Sequence, residues 1–171
     1  MKESTFMLQV TPDIERFRSL KIPEGFEAAI VKREAERHGC DVIPDVHQRM
    51  RNKRRCGLVI RTTTLHINKR LCLLKRAHVA GTAMDLVRRS AHFDFRTERF
   101  HKTDFAILRV EQDRTSRFFV VPTLELIEWY GDESYRISLA IPVPEYPVAY
   151  SHAAFDWASY RDAWHLITPR S

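Results

Sequence analysis

A chain of 171 residues suffices for one domain, and folding at this length removes about two thirds of the unfolded surface from water, so no disulfide or metal staple is needed. Apolar residues at 44% and aromatics at 11% exclude a disordered chain, and charges interrupt every apolar run well short of the ~18 residues that span a bilayer. The formal charge is +6, the opening MKESTFMLQV has no apolar secretion core, and Cys40, Cys56 and Cys72 form no CxxC pair. An intracellular, reducing setting without membrane attachment is therefore expected, cytoplasmic or nucleoid-associated, with the thiols as half-buried small side chains.

Thr11-Pro12-Asp13 places Pro at the first position of a short helix reaching about residue 20, and Pro23 closes this N-terminal arm (residues 1–22). Residues 23–171 read as one further domain. Its first helix covers residues 24–38 and stops at Gly39, with Phe26, Ala29 and Ile30 on one face. A short strand, residues 40–43, ends at Pro44, and residues 45–55 read as an Arg-rich connection. Residues 58–67 are rich in β-branched side chains, Asn68-Lys69 is a two-residue turn, and residues 70–77 return as the second strand of a hairpin.

Residues 81–90 read as a loop with a short helix, and Phe93 and Phe95 as a brief strand. The near-continuous apolar run at residues 105–110 fits a strand covered on both sides. A polar turn leads to a strand at 117–121, which Pro122 stops. A helix follows at 123–129 with Thr123 as its cap, then a strand at 135–141 and a loop carrying Pro142, Pro144 and Pro147. The last helix covers residues 153–167, where Trp157, Tyr160, Trp164 and Ile167 form a core stripe. The order predicts an α/β domain with a mixed central sheet flanked by helices.

Charge is unevenly placed. Residues 46–84 contain no carboxylate but ten cations: Arg49, Arg51, Lys53, Arg54, Arg55, Arg61, Lys69, Arg70, Lys75 and Arg76. Solubility does not require excluding every acid from 39 residues, so a polyanionic partner is expected. Arginine outnumbers lysine seven to three, which suits forked contacts to phosphate oxygens. Membrane binding would need an amphipathic helix, whereas this block reads largely as strand.

Glu27 lies on the early helix and Lys75 near the end of the hairpin's second strand. Thr103-Asp104-Phe105-Ala106-Ile107 is followed by Phe118-Phe119-Val120-Val121-Pro122, and Tyr160-x-x-x-Trp164 closes the chain. With these residues the order resembles the PD-(D/E)XK nuclease superfamily, the restriction-endonuclease-like fold, in its intron-associated or resolvase-like members. That resemblance implies Glu27 and Lys75 as catalytic residues, with Mg²⁺ as cofactor if activity is kept. The pattern is degenerate. The metal-binding Asp position falls on Gly57, and the acid two residues before Lys75 falls on Leu73. A shifted register puts Val59 and Arg61 at the acid and Lys positions. Asp45 after Pro44 supplies a "PD" pair and is the third catalytic candidate, though it falls a dozen residues early.

Mg²⁺ is held by carboxylates, waters and phosphate, so this set predicts an impaired metal site, with no metal ligands assigned. Eight histidines show no zinc-finger or HxxxH spacing, although His66 and Cys72 are placed to face each other across the hairpin. The polar run His101-Lys102-Thr103-Asp104 either lines a nucleic-acid groove beside Lys75 or simply leads into a strand.

The expected function is nucleic-acid binding, with double-stranded DNA as partner, on a nuclease-like scaffold (a pseudoenzyme). An active Mg²⁺-dependent endonuclease of homing or repair type, with relocated acids, is the alternative. A third reading makes the chain a subunit of a nucleoprotein complex whose basic block binds an acidic protein surface; a homodimer is the other assembly considered.

Overall fold

The computed structural model describes residues 11–80, 89–131, 135–143 and 155–169. Among these, helices α1 (Thr11–Arg18) and α2 (Glu27–Arg37) precede strands β1 (Val42–Arg51), β2 (Arg54–Ile67), β3 (Arg70–Ala80) and β4 (Ser90–Arg96). A short helix α3 (Thr97–His101) leads to β5 (Phe105–Gln112) and β6 (Thr115–Pro122). Helix α4 (Thr123–Tyr130), strand β7 (Arg136–Pro142), helix α5 (Trp157–Tyr160) and a 3-10 turn at Trp164–Leu166 complete the order.

The sheet is mixed. β1, β2, β3, β5 and β6 lie side by side, antiparallel except for the parallel β3–β5 pair. Beyond His78, β3 leaves β5, and Val79 and Ala80 pair with Ala91 and Ser90 of β4, which carries β7 on its other side.

Both faces are covered. On one, Ala28, Val31 and Ala35 of α2 pack with Leu65, Ile67, Leu74, Ile107, Val120, Trp164 and Ile167. On the other, Leu73, Leu108, Phe119 and Val121 meet Phe93, Phe95, Phe100, Leu126 and Leu139. Alternate residues of β5 serve the two clusters, which is why its run is almost continuously apolar. Helix α2 ends at Gly39, whose φ of +79° suits a left-handed C-terminal cap, with the Cys40 amide donating to the Ala35 carbonyl at 3.0 Å.

Several expectations are corrected. Pro44 does not end β1, because β1 is an edge strand and tolerates a missing N–H. The Arg-rich connection is therefore strand, turning at Asn52 and Lys53, whose φ values of 50° and 61° match a type I′ hairpin. The terminal helix is broken, because Asp162 adopts φ +50° and Phe119 bridges Arg161 across the β6 edge. Its stripe is core as expected, but Trp157 serves one face and Trp164 the other. Thr123 does not cap α4; its hydroxyl donates to the Thr103 carbonyl at 2.6 Å. His66 pairs with Leu71 and Cys72 with Leu65, so those two side chains leave opposite faces of the hairpin. Pro144, Pro147, residues 81–88 and the start of the predicted last helix lie outside the described residues. No helix among the described residues is long and apolar enough to cross a membrane.

Candidate nucleic-acid interface

Only the last four residues of β2, from Thr64 to Ile67, pair with β3. Residues 46–60 are hydrogen-bonded across the β1–β2 hairpin and, among the described residues, pair with no other strand. They form a two-stranded ribbon that overhangs the sheet. Directly opposite residues share a face, so Arg49 stands with Gly57 and Arg51 with Arg54 on the same side as His47 and Val59. Gly57, at φ +134°, takes up the register shift beside Arg49, a conformation that disfavours any side chain. Val46, Gln48, Leu58 and Ile60 take the other face, and Ile60 anchors it to the α2-side core. Arg49, Arg51, Lys53 and Arg54 are exposed, while the side chain of Arg55 lies outside the described set.

The remaining cations of the block are not on this ribbon. Lys69 and Arg70 sit at the opposite end of β2, about 40 Å away at ~3.3 Å per residue. Arg70 is held there by Asp104 at 3.7 Å and by the Thr168 carbonyl at 3.2 Å. Consecutive positions put Lys75 and Arg76 on opposite sheet faces. The Lys75 ammonium lies 5.6 Å above the Phe95 ring. The block is thus divided, and only its first half plus Arg61 forms one surface.

The catalytic set is divided as well. Both Glu27 oxygens accept from Arg109 at 2.7 Å, and Arg109 also meets Glu111 and the Ser116 hydroxyl. Arg109 is almost fully buried, and the Glu27 contact pushes its pKa further up than usual. This network is on the α2 side, whereas Lys75 follows Leu73 on the other face, so the two residues are not brought together.

Asp45 sits in a register break of β1, on the Leu73 side. It accepts from the Thr64 hydroxyl at 2.5 Å, with His66 Nε2 at 3.6 Å and Arg61 Nε at 3.9 Å. The imidazole contact first, then the Thr64 hydroxyl and the Arg61 charge, outweigh burial and lower its pKa below the ordinary Asp value. The strand facing the "PD" pair therefore carries Thr64 and His66, not an acid and a lysine. Glu27 is thus engaged through both oxygens by a guanidinium, and Asp45 accepts one hydrogen bond, from Thr64, with His66 and Arg61 nearby. Among the described residues no three His, Cys, Asp or Glu side chains converge as metal ligands.

Sequence reading missed Arg96 and Arg99. With Arg61, Thr63, Thr64, Leu71, Leu73, Glu98, Lys102 and Thr103 they line a groove of about 300 Å³ between the β2–β3 hairpin and α3. Lys102 and Thr103 line this groove beside Arg61; His101, Asp104 and Lys75 do not. The missed signal was Arg96-x-x-Arg99-x-x-Lys102, cations spaced by three from the end of β4 through the C-cap of α3.

No family model and no curated protein matches the chain. One solved structure is similar. It is the bacterial homing endonuclease I-Ssp6803I, at 19% identity and a TM-score of 0.41, over 82% of this chain and 88% of that one. A likeness of that size carries no argument, and the functional reading rests on the side chains.

Two outcomes follow from the buried charges. Arg109→Ala strands Glu27 and Glu111, so unfolding free energy in urea should fall by about 3–5 kcal/mol; a loss below about 1 kcal/mol contradicts the network. Asp45 has a lowered native pKa, so its stabilisation is complete above the ordinary ~3.9 and is lost as pH falls through the native value. Asp45→Asn should therefore flatten the loss of stability between about pH 5 and pH 2, measured as the urea midpoint against pH. Superimposable wild-type and variant profiles contradict it.

Proposed function

We propose that this chain binds double-stranded DNA through the β1–β2 ribbon, on a PD-(D/E)XK nuclease-like scaffold whose metal site has been lost. The observation that carries the reading is the overhang itself: residues 46–60 combine cations, no carboxylate and no partner strand among the described residues. A major groove about 12 Å wide and ~8.5 Å deep admits a two-stranded ribbon. Six or seven residues on each arm give a reach of roughly 20 Å. Arg49, Arg51, Lys53 and Arg54 would then lie against the phosphates that wall the groove, positioning the duplex without reading its sequence.

The loss of the metal site is supported by Pro44-Asp45 facing Thr64 and His66, and by Glu27 being occupied by Arg109. Hydrolysis through a metal-bound water requires carboxylate oxygens open to the ion, and both oxygens of Glu27 are held by Arg109.

The test is a salt titration of duplex binding with the full chain. If the wild type meets about six phosphates, log K should fall with log salt at a slope near −5, costing roughly 10³-fold between about 50 and 200 mM. Arg51→Ala/Lys53→Ala/Arg54→Ala should shallow the slope by about 2–3. A slope near zero rejects DNA binding, and EDTA-sensitive nicking of plasmid in Mg²⁺ or Mn²⁺ rejects the lost metal site.

A further inference from the structure

The ribbon's cationic face does not end at the sheet. Arg61 continues it, with Nε 3.4 Å from His47 Nδ1, and the same Arg61 forms one wall of the groove against α3. Arg96, Arg99 and Lys102 form the opposite wall, and Thr63, Thr64, Leu71 and Leu73 line the space between. Four cations, from β2, the end of β4, and α3 with its C-cap, therefore line one cleft.

Two carboxylates, Glu98 and Asp45, stand against the four cations, so a net excess of two positive charges remains. Glu98, on the rim, is paired with Lys102 and has a lowered pKa from that contact. Asp45, behind Thr64, is covered by the Thr64 hydroxyl, His66 and Arg61. Arg96 is also pre-positioned, since its guanidinium carbon lies 5.9 Å from the ring centre of the exposed Tyr135. What remains is a partly apolar cleft with an excess of positive charge, where an anion gains more than at a flat solvated surface.

We propose that this groove is a second phosphate-binding site, gripping the DNA backbone at a distance from the ribbon tip. The inference rests on the DNA reading above and deepens it, turning a single arm into a two-point clamp along one face. Arg54 and Arg61 are seven residues apart on β2, so tip and groove are separated by roughly 23 Å, or about 7 base pairs of duplex. The groove also gives Arg96, Arg99 and Lys102 a role that their distance in sequence from the basic block conceals.

Phosphate ethylation interference on a 30-base-pair duplex tests it, combined with the salt slope of binding. Wild-type protein should show two clusters of interfering phosphates about 7 base pairs apart. Arg96→Ala/Arg99→Ala/Lys102→Ala should erase one cluster, keep the other, and shallow the slope by about 2–3. The exposed Arg99→Ala alone, which disturbs no core side chain, should shallow it by about 0.9 and so guards against misfolding of the triple variant. If the wild type and both variants share one slope and one interference pattern, the groove is not a phosphate site although DNA binding stands. If the wild type fails to bind duplex at low salt, the DNA reading falls and this inference with it.

Discussion

Strand β2 is longer than the neighbour that should shelter it. Its 14 residues face only four pairing positions on β3, so the rest of its length must find all its hydrogen bonds in β1. An isolated two-stranded hairpin is marginal in water, and a bare strand edge invites pairing with other chains. The sequence answers both problems at once. Ile60 roots the ribbon in the α2-side core, Asn52 and Lys53 supply the left-handed turn, and arginines on the projecting part oppose edge-to-edge association. The same side chains leave the projecting part without a carboxylate between residues 46 and 60.

Charge inside the molecule obeys a different rule. Glu27 and Arg109 are shielded from water and joined by two hydrogen bonds, an arrangement whose value lies less in net stability than in the penalty for breaking it. Asp45 is buried to much the same degree, and the Thr64 hydroxyl donates to it with the His66 imidazole and the Arg61 guanidinium somewhat farther off. The α2 side thus pairs its buried charges with one another, whereas on the opposite side Arg61, Arg96, Arg99 and Lys102 line one groove.

Much of the fold was legible because burial imposes periodicity. The β5 run, the Asn68-Lys69 turn and the Gly39 stop each carry a local signal, and each element stands where that signal put it. Three features were not legible. Pro44 looks like a terminator unless β1 is known to be an edge, which is a property of the whole sheet. The terminal aromatic stripe has helical spacing, yet it divides between two cores because the chain crosses the β6 edge at Asp162. Side-chain alternation then separates residues that lie close in sequence, so Lys75 and Arg76 diverge while Arg61 and Arg99 converge. Charge counted along a chain cannot reveal that geometry.

The most direct measurement is a two-dimensional NMR titration of the arginine Nε–H resonances with a short DNA duplex at low salt, in a chain of 20.1 kDa. The account predicts large shifts for Arg49, Arg51, Arg54 and Arg61 and an unmoved Arg109 signal. Shifts confined to Arg70 and Arg76 at the far side of the sheet, with the ribbon resonances unchanged, would contradict it.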